Sequence, residues 1–457
     1  MTIADRKIFE LQQKLAGLTV ELDHWRAESV AGKPYEKHHS QIRLASAALQ
    51  GGIARIEEEV NSFIEAHDST RVLTECRRIE DSILELHSVW DFFRRKLLLR
   101  GVDAYRKYLY AADELAWACY EPPQRHSDLS QDDVREPPLV FFNSCSSPLA
   151  ASRGQRYSEE IFPGENPINP QFTKIVDSLP VPVISVPWFQ IEHLPDALVI
   201  AHEVGHNVEQ DFQLTAKIDG ALSSMNLDGA RRDTWLGWRS EIFADYYGSL
   251  AAGPAFAETL IDFLADAPQA IEAEEPVPWN PYPPSWLRVQ LVLQAIKIRG
   301  FEDEAGQLRD QWAKCYAHQP ASEFGDDVTE VIATLDSLKF SEFGNRRLSD
   351  ILAFKRGDYK AAHQAATFLR DGRYSSLKDY NVRTLLAAVR LAFSSNSQKY
   401  VADRLGHEVL DKIPQKAGTR RTRLINSPQE LHRREQVVRS KGTALLEMLP
   451  AWTRTRQ

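Results

Sequence analysis

The stretch Ala197-Leu-Val-Ile-Ala-His202-Glu203-Val204-Gly205-His206-Asn-Val-Glu-Gln-Asp211 decides how this chain is read. It carries H-E-x-x-H behind an apolar lead and reads as a helix. His202 and His206 are one turn apart, so both imidazoles stand on one helical face. That spacing suits two nitrogen ligands on a single zinc ion. Glu203 lies about 100° round the helix from His202. It can reach the attacking water without being a ligand, as a general base must. Leu198, Val199 and Ile200 supply apolar packing to hold the helix still, and Gly205 leaves room for another backbone to approach.

A second segment, Trp238-Arg-Ser-Glu241-Ile-Phe-Ala244-Asp245-Tyr-Tyr-Gly248, also reads as helical. Glu241 and Asp245 share a face at the four-residue spacing. Glu241 can complete a His/His/Glu zinc site whose fourth position is left for water. Asp245 can accept a hydrogen bond from the far nitrogen of a ligand histidine, His202 first, and fix its tautomer. The alternative for both segments is a pair of ordinary amphipathic helices.

H-E-x-x-H followed by E-x-x-A-D resembles the gluzincin zinc metallopeptidases, in which a glutamate of the next helix is the third ligand. The nearer resemblance is to the heat-shock and CAAX-processing membrane proteases and their soluble relatives. Thermolysin carries a comparable Glu and Asp at the same spacing. The resemblance covers roughly residues 180 to 290. It implies peptide-bond hydrolysis with Zn2+ as cofactor and leaves the substrate open.

The rest of the chain sets this segment in a larger frame. With 457 residues, 43% hydrophobic and 26% charged, the composition is that of a soluble, multi-domain protein. A net charge of -9 argues against nucleic acid as the main partner. Met1-Thr-Ile-Ala-Asp-Arg-Lys has no apolar signal-peptide core, and no run reaches membrane-span length. Here the chain departs from the membrane proteases it resembles. Cys76, Cys119, Cys145 and Cys315 are scattered without C-x-x-C, as suits a reducing compartment, so a cytoplasmic location is expected.

The expected fold class is mainly α, with a small α+β zincin-like catalytic core between a helical N-terminal bundle and a helical C-terminal region. Residues 1–121 form the bundle or coiled-coil arm. Leu11, Leu15, Leu18, Leu22 and Trp25 make one apolar stripe. Leu49, Ile53, Ile56, Val60 and Phe63 make a second. Cys76, Ile79, Ile83, Leu86, Trp90, Phe93 and Leu97 make a third. This arm binds a protein partner or serves as a structural bundle; a further helix, 103–119, is expected to pack on the catalytic domain. Residues 122–300 are the catalytic domain, entered through a linker that starts at Glu121-Pro-Pro. Residues 301–413 form a helical domain, in which 358–369 and 382–393 resemble short helical-hairpin units. Residues 414–457 are a basic tail with clusters at Arg420-Arg421-Thr-Arg423, Arg433-Arg434 and Arg454-Thr-Arg456. A solvated tail is the first reading, and binding to nucleic acid or an acidic partner the second.

Within the catalytic domain, residues 137–142 read as a short buried strand and 143–148 as a turn. Cys145 lies upstream of H-E-x-x-H, as the third ligand of peptide deformylases does. Glu241 and Asp245 already complete the pattern, so Cys145 is read as a packed loop residue. The Pro/Gly/Asn-rich loop at 151–180 is a candidate lid that restrains activity. Val181-Pro-Val-Ile-Ser-Val-Pro187-Trp-Phe189 reads as a strand that its prolines confine to a sheet edge. By resemblance it corresponds to the strand that pairs with substrate. Leu194-Pro195-Asp196 begins the zinc helix. Tyr282 and Arg288, in Trp279-Asn-Pro-Tyr282-Pro283-Pro284-Ser-Trp286-Leu-Arg288, are candidates to bind a developing oxyanion. The alternatives are a Pro-rich turn for Tyr282 and a structural cation for Arg288.

The expected function is a zinc-dependent endopeptidase acting on an extended segment of a specific cytoplasmic protein, with water activated by Glu203. A class of bacterial regulators that cleave repressors pairs the same motif with a downstream Glu, which suggests regulatory proteolysis by analogy. The alternative is a non-catalytic, zinc-stabilised helical scaffold or nucleic-acid adaptor. A structural site is normally closed by four protein ligands, so the coordination shell separates the two.

Overall fold

The computed structural model describes the chain apart from residues 34, 67–68, 128–135, 145–148, 152–180, 317–322, 414–427 and 448–457. For 63–66, 69, 149–151 and 444–447 it describes the backbone alone. The protein is mainly α. Four long helices come first: α1 (Ile3–Ala27), α2 (His39–Ala66), α3 (Ser69–Leu98) and α4 (Asp103–His126). Three short strands follow, β1 (Leu139–Asn143), β2 (Leu149–Ala151) and β3 (Val183–Pro187). A 3-10 turn over Leu194–Val199 leads into α5 (Ile200–Asp211). Then come α6 (Thr215–Ser223), α7 (Gly229–Gly237), α8 (Arg239–Ala252), α9 (Pro254–Leu264), α10 (Pro268–Glu272), α11 (Ser285–Ile298), α12 (Glu302–Cys315) and α13 (Glu323–Ser337). A two-stranded ladder, β4 (Lys339–Phe340) and β5 (Arg346–Arg347), precedes α14 (Leu348–Ile351), α15 (Arg356–Arg370), α16 (Val382–Ser395), α17 (Ser397–Ala402), α18 (Leu405–Leu410) and α19 (Pro428–Glu447). No helix among the described residues is long and apolar enough to cross a membrane.

The buried apolar residues fall into two clusters, the larger of which continues across residue 300 and takes in the helix at 103–119, which was expected to pack there. One joins the stripes of α1, α2 and α3. The other joins α4 to the helices from α5 through α18. The small sheet is the wall between them. Val140, Ile184 and Val186 face the larger cluster, and Leu139, Phe141 and Val183 face the smaller, as the period of two in a strand requires. Asp113 of α4 fastens this junction. It accepts from Arg100 at 2.8 to 3.1 Å and from the Val140 amide at 3.1 Å, and Arg100 also donates to the Val140 carbonyl at 2.6 Å.

Helix α4 runs five residues past the expected linker start, through Pro122 and Pro123 to His126. Pro123 has no N–H for the Cys119 carbonyl one turn back. That carbonyl instead accepts from the Tyr247 hydroxyl of α8 at 2.7 Å. A partner from another helix thus satisfies the group that the proline orphans.

The strand before the zinc-motif helix is central, which corrects the edge expected from its prolines. β3 pairs parallel with β1 and antiparallel with β2. Pro182 precedes the strand and Pro187 ends it, so the missing donors fall outside the paired interior. Val183 to Val186 are all buried, as a strand covered on both faces must be.

The basic segment is folded over residues 428–447, where a solvated tail was expected. α19 lies along α2, with Leu431, Arg434 and Glu435 buried. Arg434 donates to Glu136 at 3.2 Å, and Glu136 also accepts from Ser40 at 2.7 Å. Glu435 accepts from Arg43 Nε at 2.6 Å and from Arg26 at 3.4 Å. Carboxylates of the helix and of the sheet approach thus neutralise arginines of both ends. Arg420, Arg421, Arg423, Arg454 and Arg456 lie outside the described residues, as do Cys145 and nearly all of the loop read as a lid.

Candidate metal centre

Two crossing helices build the site. α5 brings His202, Glu203 and His206, and α8 brings Glu241 and Asp245. The crossing is close because Gly205 lies in it. A Cβ at Gly205 would stand 2.9 Å from Ala244 Cα and 3.0 Å from Tyr247 Cβ, closer than packed carbons come. A side chain at 205 would therefore move the two ligand-bearing helices apart.

The closeness sets the ligand geometry. His202 Nε2 and His206 Nε2 are 3.1 Å apart, and each is 3.4 Å from an oxygen of Glu241. Bonds of 2.0–2.1 Å to a tetrahedral ion place neighbouring ligand atoms about 3.3 Å apart. The three groups therefore fit a divalent ion at their centre. Among the described residues, no other His, Cys, Asp or Glu joins this group. The described residues thus offer three protein ligands, the number found in sites that leave a coordination position for water or substrate.

Asp245, 1% exposed, holds His202 by an Nδ1–Oδ1 bond of 2.8 Å. A carboxylate only accepts, so Nδ1 carries a proton and Nε2 is the nitrogen turned to the site. Arg288 of α11 holds Asp245 in turn, donating from Nε to Oδ2 at 2.8 Å and from Nη2 to Oδ1 at 2.7 Å. It also lies 3.4 Å from Glu241. A buried guanidinium paired with these two carboxylates holds both of them in place. The structural-cation reading of Arg288 is the one its contacts support.

The electrostatics follow. Burial, the largest influence, works against charge on His202, but Asp245 and Glu241 outweigh it and hold the imidazolium up to about 10. Burial likewise opposes the charge on Glu241, yet His206, His202 and Arg288 keep its carboxyl well below the usual range. Burial also opposes the charge on Asp245; Arg288 and His202 overcome it and hold the carboxyl low. Arg288 offsets Asp245, and Glu241 is the anionic member of the three-residue group. Metal uptake at His202 displaces a proton.

Tyr282 is not brought to the ligands. It is 43% exposed, on the wall of a cavity of about 480 Å³ with Trp279, Val277, Pro283 and Glu274. That cavity reaches Arg288 but none of the three ligands. The Pro-rich turn is therefore the reading that its placement supports.

Two site residues escape the sequence reading. Ser240 Oγ is 3.0 Å from His206 Nδ1 and donates to Glu209 Oε2 at 2.6 Å. One signal for them exists: Glu209 is three residues after His206 on the same face, and Ser240 adjoins Glu241. Comparison with known proteins adds nothing to this geometry, since no family model, curated protein or solved structure matches the chain.

Proposed function

We propose that this chain is a zinc-dependent endopeptidase that cleaves an extended segment of a restricted set of protein substrates in the cytoplasm. The observation that carries the reading is the three-ligand group His202, His206 and Glu241, with Glu203 on the same helix beside His202. Two imidazoles and a carboxylate are a donor set suited to zinc. Bound zinc would supply Lewis acidity toward a carbonyl oxygen and a lowered pKa for water. The chain's own residues do the rest. His202, His206 and Glu241 hold the ion, and Asp245 and Arg288 keep His202 and Glu241 in place. Glu203 takes the proton of the attacking water and passes it to the leaving amine. The outer strand β2, antiparallel to β3 and packed near α5, offers the backbone edge along which an extended peptide would pair.

Glu203→Gln separates this chemistry from a structural metal role. With zinc content unchanged, cleavage of a fluorogenic extended-peptide library should fall by about 10^2- to 10^4-fold. Fully zinc-loaded protein that cleaves no member of the library, nor any protein of a cytoplasmic extract, would refute the enzyme and favour the scaffold.

A further inference from the structure

His206 is held differently from His202. Its Nδ1 meets a hydroxyl, Ser240 Oγ, at 3.0 Å, and that hydroxyl donates to Glu209 at 2.6 Å. Glu209 is 2% exposed. Its other oxygen accepts from Thr215 Oγ1 at 3.0 Å, and Arg239 Nε stands 3.9 Å away. A carboxylate buried to this degree costs stability unless its lone pairs are used. Here one oxygen is used on the start of α6 and the other on the hydroxyl behind a ligand.

Proton counting fixes what this arrangement does. A serine hydroxyl carries one proton. Ser240 gives it to Glu209, so Oγ can only accept from the imidazole. His206 must then carry its proton on Nδ1, which leaves the Nε2 lone pair on the side of His202 and Glu241. Asp245 imposes the same tautomer on His202 directly. We propose that Ser240 and Glu209 are a two-residue relay that positions His206 as a metal ligand, the counterpart of Asp245 at His202, and that they set part of the site's metal affinity. The inference rests on the metal-centre reading and does not need the peptidase reading.

The two arms of support are unequal. Asp245 touches its histidine and is neutralised by a bidentate arginine at 2.7 and 2.8 Å. Glu209 reaches its histidine through one hydroxyl, and the arginine beside it stands 3.9 Å away. A purely structural role is the rival account, since the Thr215 bond also ties the end of α5 to α6.

Zinc affinity, measured by competition with a chromophoric chelator, and the visible spectrum of the Co2+-loaded protein separate the two accounts. Ser240→Ala and Glu209→Gln should each weaken zinc binding by about 10- to 100-fold and change the cobalt spectrum, because removal of such supporting partners has that effect. Ser240→Thr keeps the hydroxyl and should restore most of the affinity. If Glu209→Gln fails to fold, the Ser240→Ala and Ser240→Thr pair decides. Unchanged zinc affinity and cobalt spectrum in Ser240→Ala would overturn the relay, whatever its melting temperature. Absence of zinc and cobalt binding by the unaltered protein would overturn the metal centre itself, and the relay with it.

Discussion

At Arg288 a guanidinium sits 6% exposed between two carboxylates, and its contribution is to stability before it is to chemistry. Taking it away leaves Asp245 and Glu241 buried with less compensation. Breaking a buried pair from one side costs about 3–5 kcal/mol, far more than the pair is worth against apolar replacements. Arg288→Leu should therefore lower the unfolding free energy of the metal-free protein by that order, read from urea unfolding. An oxyanion role would instead show as lost turnover in a protein of unchanged stability. The four residues His202, His206, Glu241 and Asp245 were legible in the sequence because a helix converts a four-residue spacing into a shared face. Ser240 and Glu209 were not, because their partnership exists only across the crossing of α5 and α8. Arg288 was visible as a charge but not as the partner of Asp245, which belongs to a different helix.

At the scale of elements, the ligand geometry is a property of one helix pair. The 3.1 to 3.4 Å spacing of the three ligand groups depends on how closely α5 and α8 approach. Gly205→Ala puts a methyl against Ala244 Cα and Tyr247 Cβ, where backbone and not a flexible side-chain end must yield. The expected cost is about 1–3 kcal/mol of stability. Zinc affinity should fall with it, because the helices that part are the ones carrying the ligands. Gly220→Ala on α6 is the control: nothing lies within 4 Å of its added carbon. That change should leave zinc affinity unaltered, and thermal unfolding with chelator competition checks both variants. Strand β3 shows where element-level reading fails. Two prolines in nine residues argue for an edge, but both fall at the ends of the paired segment, and only the register tells.

At the scale of the whole molecule, the helical character and the order of elements were readable from apolar periodicity, while the grouping of helices into cores was not. Stripes at 4-3 spacing say that a helix is buried on one side and say nothing of its partner. The packing of α4 on the larger cluster is as expected for 103–119, but the continuity of that cluster across residue 300 was not foreseen. The segment 428–447 is flanked by basic clusters that mask its buried face, and its docking depends on glycines of two helices far apart in sequence. A Cβ at Gly51 would overlap the Arg439 carbonyl, and one at Gly442 would overlap the Ala48 carbonyl. These two glycines let α2 and α19 touch backbone to backbone.

That seam imposes an order on synthesis. Arg43 and Glu435 are 392 residues apart, so the face of α2 that carries Gly51 waits through most of translation for its cover. At 5–20 residues per second the delay is roughly 20 to 80 s. During it the helices that carry the metal ligands can close on each other, while the arm holds an uncovered flank and Glu136 lacks Arg434. Ribosome-bound chains halted before residue 428 should then show α2 cut readily by a limiting protease, with α5 and α8 resistant. Equal resistance of α2 in the halted and the released chain would mean that the arm is complete without the seam.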